Sequence, residues 1–162
     1  METLRRLTPD EFRNVIGHFA TGVTVITTLH DGRPLGTTAS AVTSLSLEPP
    51  MLLVALNQES VTGQAVASTG HFAVNILGEG QEDIAVRFAT KAPDKFDGVA
   101  TAAGVSGDPL LGDAIATLEC RVVERTTGGT HIVFFGEVER ASARSGAPLA
   151  YFRGRYGRLE LG

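Results

Sequence analysis

The 162 residues carry 14 Lys plus Arg against 18 Asp plus Glu, a formal charge of -4, with 43% hydrophobic and 20% charged residues. That apolar share can offset the ordering entropy of one folded domain of this length, which excludes intrinsic disorder as the main state. The acidic balance offers no field to gather a polyanion, and the single cysteine, Cys120, allows neither an internal disulfide nor a thiolate zinc site.

In chain order, the first element is a helix expected from Thr8 to Phe19. Thr8 can cap it, Pro9 suits the first turn, Asp10 and Glu11 complement the positive end, and Phe12, Val15, Ile16 and Phe19 form a stripe expected to lie on a sheet. The acidic pair also interrupts any signal peptide, and no window is apolar enough to span a bilayer, so a cytoplasmic protein is expected. Gly22 to Leu29 is rich in β-branched residues and runs into Asp31-Gly32, a hairpin signal. The return segment Leu35 to Leu45 is full of Thr, Ser and Ala. After Glu48-Pro49-Pro50, Met51 to Leu56 reads as a buried strand.

Ser60 to Ser68 reads as a helix stopped by Gly70, and His71 to Leu77 as a strand with Phe72, Val74 and Ile76 on one side. Gln81 to Phe88 reads as a short helix. A loop with Pro93, Gly98, Gly104, Gly107 and Pro109 follows. Two long strands, Ala114 to Arg125 and Thr130 to Ala141, are joined at Thr127-Gly128-Gly129. Leu118, Cys120 and Val122 alternate with polar neighbours, while Ile132, Phe134 and Val138 share a side that His131 does not. Cys120 is therefore read as an inert core thiol. The tail holds Arg140, Arg144, Arg153, Arg155 and Arg158 with no acid between the first and last. It is either a solvated surface or an anion-facing rim, for a nucleotide phosphate or a partner subunit.

Familiar catalytic signatures fail. Gly78-Glu79-Gly80 lacks the third small residue of a dinucleotide fingerprint, Asp83 standing there, and no P-loop or serine elbow exists. The four histidines show no helical metal spacing. What remains is the hydroxyl-rich stretch Leu35 to Asn57, whose only charge is Glu48. Small residues there let a flat ligand approach backbone, and Thr and Ser hydroxyls can bond a heteroaromatic edge or a phosphate. A plain polar strand is the alternative.

Together, FRNVIGHFATGVTVITT, GTTASAVTSLSLEPPMLLVALNQES, GHFAVNIL, FATKAPDKF, LECRV and GGTHIVFFGEV resemble the short-chain flavin reductase family over nearly the whole chain. The resemblance implies a single domain, 1–162, of mainly β structure with short helices. The implied fold is an FMN-binding split β-barrel, as a homodimer with flavin near the subunit interface. It implies reduction of FMN or FAD by NADH or NADPH, with reduced flavin supplied to a separate monooxygenase. By position, Thr37, Thr38, Ala39, Ser40 and Ala41 would contact the ring and ribityl chain. Ala55, Leu56 and Asn57 would line the ring, Ser60 and Thr62 would hold phosphate, and Phe88 and Lys91 would sit near the flavin's outer end. His131 would sit by the nicotinamide as the catalytic position.

The chain departs from the common pattern at Ala41, where a second serine is frequent, and at Thr130, where an aspartate is frequent. The absence of fixed positive charge near Ser60 suggests moderate flavin affinity and a diffusible product. Two other readings stay open: a non-catalytic flavin- or haem-binding protein on the same barrel, and a reductase whose tightly held flavin serves another small acceptor.

Overall fold

The computed structural model describes residues 4–162. Helix α1, Pro9–Ile16, begins with the expected capping box: the Thr8 hydroxyl accepts from the Glu11 amide while the Glu11 carboxylate accepts from the Thr8 amide. These bonds, with the Arg5 guanidinium, hold the Glu11 carboxyl below the usual carboxylate range. A two-residue strand β1, Thr21–Gly22, leads to β2, Thr24–His30, and β3, Arg33–Ala39. Asp31 and Gly32 make the turn between them, both with positive φ, 51° and 75°, as a two-residue hairpin with strand-compatible twist requires.

Strands β4, Val42–Leu47, and β5, Pro50–Asn57, follow, then α2, Val61–Thr69, β6, His71–Ile76, and α3, Glu82–Phe88. The Ser60 hydroxyl caps α2 by accepting from the Gly63 amide, and the helix ends at a left-handed Gly70. A small hairpin of β7, Thr101–Ala103, and β8, Pro109–Leu111, precedes the long strands β9, Ala116–Gly128, and β10, His131–Ala143. The chain closes with β11, Leu149–Phe152, and β12, Arg155–Arg158.

Seven strands make one sheet in the order β3-β2-β6-β9-β10-β5-β4. Its two edge strands, β3 and β4, are consecutive in the chain and separated only by Ser40 and Ala41, so the sheet curls until its margins meet at that dipeptide. The Ala55 amide donates to the Ala41 carbonyl, and the Val42 amide to the Ser40 carbonyl. The sheet is not hydrogen-bonded into a closed cylinder: this is a split barrel.

Two apolar clusters fill it. The first holds Phe72, Phe134, Ile26, Val54, Leu56 and Cys120, with Leu118, Val122, Ile132 and Val138 packed against it, as the alternation in β9 and β10 predicts. The second, under α3, holds Phe88, Val23, Val25, Leu77 and Leu149. Gly36 belongs to this second contact, because a Cβ there would come within 2.9 Å of the Phe88 ring.

Several expectations are corrected. The α1 stripe does not lie on the sheet: Phe12, Val15, Ile16 and Phe19 are 53 to 75% exposed, because nothing among the described residues covers that face. Leu35 to Leu45 is two strands on opposite margins, broken at Ser40-Ala41. The connection between β9 and β10 is Gly129-Thr130, shorter than the expected Thr127-Gly128-Gly129 and starting two residues later, since β9 keeps pairing through Gly128. The loop after α3 contains the β7–β8 hairpin, and the basic tail folds into β11 and β12, which join β1 in a separate three-stranded sheet. Among the described residues, no helix is long and apolar enough to cross a membrane.

Candidate active site

The pleat of β5 decides which side chains face outward. Leu52, Val54 and Leu56 point into the core, so Leu53, Ala55 and Asn57 share the outer face. In antiparallel register these stand beside Phe135, Val133 and His131 of β10, while Thr43 of β4 stands beside Leu53. Directly paired residues share a face, so one shallow surface runs from Thr43 at the seam to His131. Leu53 and Asn57 are four residues apart, about 13 Å along the strand.

At its seam end this surface opens into a cleft of about 840 Å³. Ser40, Ala41, Val42, Thr43 and Leu53 line it from the seam, Asp10, Arg13, Asn14, Ile16 and Phe19 from the α1 region, and Tyr151, Arg153 and Gly154 from the β11–β12 hairpin beside the end of α1. Arg13 is engaged by Asp10 at 2.6 Å. Thr21 also lines the cleft, and its hydroxyl oxygen is buried with no hydrogen-bond partner among the described residues. An unsatisfied hydroxyl beside short side chains and edge-strand backbone matches the donor and acceptor rim of a flat heteroaromatic ligand. The residues present therefore fit a flavin.

The far end of the surface is organised by hydrogen bonds. His131 Nδ1 is bonded to the Thr130 hydroxyl at 2.8 Å, while Nε2 makes no bond among the described residues. The Asn57 side-chain oxygen accepts from the Glu59 amide, and its carbonyl from the Ser60 amide. Thr62, the second residue of α2, is buried, so at this locus it is the Ser60 cap, not the Thr62 side chain, that faces the start of the helix.

The structure therefore brings Ser40, Ala41, Ala55, Asn57 and His131 onto one connected face, with Ser60 beside it. It does not bring in the others. The Leu56 and Ala39 side chains are buried, leaving only their backbones. Thr37 is half-buried on β3, and Thr38 donates its hydroxyl to the Ala85 carbonyl of α3 at 2.6 Å. Phe88 is fully buried against Phe96, and Lys91 is exposed beyond α3. The lysine that reaches β3 is Lys95, which donates to the carbonyls of Gly36 at 2.9 Å and Phe88 at 3.2 Å. Its burial lowers its pKa. Sequence reasoning missed Thr21, the α1 wall and Tyr151. Arg153 was visible only as one of five tail arginines.

Elsewhere, burial, reinforced by Glu139, Asp108 and Glu119, pushes the Cys120 thiol up to about 12, so it stays protonated and unreactive at neutral pH. His71 Nδ1 lies 2.8 and 2.9 Å from the two oxygens of the buried Asp108, whose Oδ1 also accepts from the Leu29 amide. His71 is thus a tie between elements. Among the described residues, no group of three His, Cys, Asp or Glu could hold a metal.

A model of the flavin reductase like domain matches residues 16–160 of the chain. The chain belongs to the flavin reductase like family. Its relatives include the reductase component of 4-nitrophenol 4-monooxygenase/4-nitrocatechol 2-monooxygenase from Rhodococcus opacus, 53% identical over 95% of this chain and 83% of that protein. Another is the flavin reductase (NADH) of Kitasatospora aureofaciens, 40% identical over 92% of this chain and 81% of the relative. Among solved structures, the Streptomyces globisporus NADH:FAD oxidoreductase in complex with NAD and FAD fragments superposes with a TM-score of 0.89 at 36% identity, covering 97% of this chain and 98% of that one. The split barrel that the resemblance implied is the fold observed, and its structural neighbours are flavin reductases.

Proposed function

We propose that the chain is an NAD(P)H:flavin oxidoreductase that reduces FMN or FAD and releases reduced flavin to a separate monooxygenase. The observation that carries this reading is the continuous outer face from the Ser40-Ala41 seam to His131, with the orphaned Thr21 hydroxyl at its open end. When both cofactors are bound, the nicotinamide supplies a hydride and the flavin accepts it.

The residues align and shield. Leu53, Ala55 and Val133 form an apolar floor that keeps water from one ring face. Ser40, Thr21 and edge-strand amides would bond the ring's polar rim, and the Ser60 cap and the start of α2 would hold a phosphate. Alignment of two rings in this way can contribute roughly 7 to 11 kcal/mol to a barrier, which accounts for a site without an acid, base or nucleophile at its centre. The test is anaerobic: protein, NADH or NADPH, and excess FMN or FAD, following nicotinamide absorbance together with flavin bleaching. Absence of flavin-dependent oxidation would refute the reading.

His131, held by Thr130, contacts the nicotinamide side. His131→Ala is expected to raise the KM for NADH or NADPH several-fold while flavin binding persists, and unchanged steady-state kinetics would remove it from the site. The free, protonated Cys120 suits a reducing cytoplasm.

The exposed stripe of Phe12, Val15, Ile16 and Phe19, continuous with Leu4 and Leu7, supports a homodimer in which a second copy covers α1. Val15→Asp, at a position 67% exposed here, is expected to shift the chain to monomer in analytical ultracentrifugation without lowering its helix or strand content. A wild-type chain that sediments as a monomer at all concentrations would exclude the homodimer.

A further inference from the structure

The loop joining β11 to β12 is two residues long, Arg153-Gly154, with φ of 50° and 79°. A turn with both central residues at positive φ takes Asn, Asp or Gly first, because a Cβ crowds the following carbonyl oxygen there, and only Gly lacks one while Asn and Asp offset the clash by bonding the local backbone. Arginine is a poor choice for the turn itself. Nothing local compensates: its guanidinium makes no ion pair or hydrogen bond among the described residues. By contrast, Arg158 pairs with Glu79 at 3.0 Å and Arg144 donates to the Asp113 carbonyl.

The turn is nevertheless held firmly. The Arg153 amide donates to the Gly17 carbonyl at 2.9 Å, and Phe152 meets His18 edge-on. Both contacts tie it to the end of α1, at the cleft that Ser40 and Ala41 also line. Within that cleft Asp10 and Arg13 neutralise each other, so Arg153 is the surplus positive charge. Strain kept at a rigid, charged rim is what a ligand-facing position shows.

Resting on the flavin reductase reading above, we propose that Arg153 is a specificity-determining residue that binds the phosphate arm of a nucleotide entering this cleft, at a point separate from the Ser60 cap. The shared chemistry is a phosphodiester or phosphomonoester, which a guanidinium on a fixed turn can meet with two parallel hydrogen bonds.

Arg153→Asn tests this without endangering the fold, since asparagine suits the turn better, and Tm should hold or rise. Steady-state kinetics and flavin-fluorescence titration would be run with FAD, FMN and riboflavin, and with NADH and NADPH. The expected result is a KM or Kd raised about tenfold for at least one phosphate-bearing partner, with kcat and riboflavin binding unchanged and partial retention in Arg153→Lys. A loss confined to FAD assigns the flavin pyrophosphate; a loss with FAD and FMN alike assigns the flavin monophosphate. A loss with both nicotinamide nucleotides assigns theirs, and one confined to NADPH its extra phosphate. Unchanged constants throughout, or an equal loss with riboflavin, overturn the assignment. A wild-type chain inert with every pair would sink the functional reading instead, so the two failures are distinguishable.

Discussion

Asn75→Leu is expected to lower stability by about 3 kcal/mol, because it removes one buried amide that clamps three strands. Asn75 is fully buried on β6. Its amide nitrogen donates to the Val25 carbonyl at 3.0 Å and to the Thr27 hydroxyl at 3.1 Å, both on β2. Its oxygen accepts from the Leu111 amide of β8 at 2.8 Å. Thr27 in turn donates to the Pro109 carbonyl at 2.6 Å, so the chain of bonds continues beyond Asn75 itself. Leucine preserves volume but strands the Leu111 N–H in a dry interior, and an unsatisfied buried donor costs roughly 1 to 3 kcal/mol by itself. At roughly 2 to 4 °C per kcal/mol for a chain of this length, Tm should fall by roughly 6 to 12 °C in thermal unfolding. A fall under about 2 °C would mean that the β7–β8 hairpin docks without this clamp.

The second large effect concerns chemistry. Ala41→Trp is expected to reduce flavin-dependent kcat/KM on the order of a hundredfold, since displacing a reacting ring by about 1 Å has consequences of that size. Ala41 is exposed on the cleft floor, and its role in the fold is carried by its carbonyl, which any residue supplies to the Ala55 amide. An indole there would occupy the space over Leu53 and Thr43 while the barrel stays intact. Ala41→Ser, which adds a hydroxyl without bulk, should leave kcat unchanged and tighten flavin binding. If Ala41→Trp keeps full activity in the anaerobic assay, the ring binds somewhere other than the seam.

Much of the fold was legible because local chemistry and strand periodicity agreed. Thr8 and Ser60 are caps, Asp31-Gly32 is a turn, and the alternation around Cys120 and Phe134 gives the core. The same periodicity explains the main failure at the site. A contiguous run such as Ala55, Leu56 and Asn57 cannot face one ligand from a strand, because its middle side chain points the other way, and Leu56 is in the core. Phe88 and Thr38 were drawn inward by α3 packing, a long-range contact with no local signature. The Arg153 turn was hidden for a different reason. Its first residue breaks the turn preference at a cost of about 1 to 2 kcal/mol, so Arg153-Gly154 carries no hairpin signal of the kind Asp31-Gly32 does.

The meeting of β3 and β4 at a dipeptide has a consequence for solubility as well as chemistry. Outer strands of an open sheet are the usual templates on which stray chains add and fibrils grow. Here the two bare margins are neighbours along the backbone and converge at one end, so an intruding strand finds the approach obstructed by the chain's own continuation. Growth of the sheet by a further strand is thereby disfavoured at the end where the two margins converge.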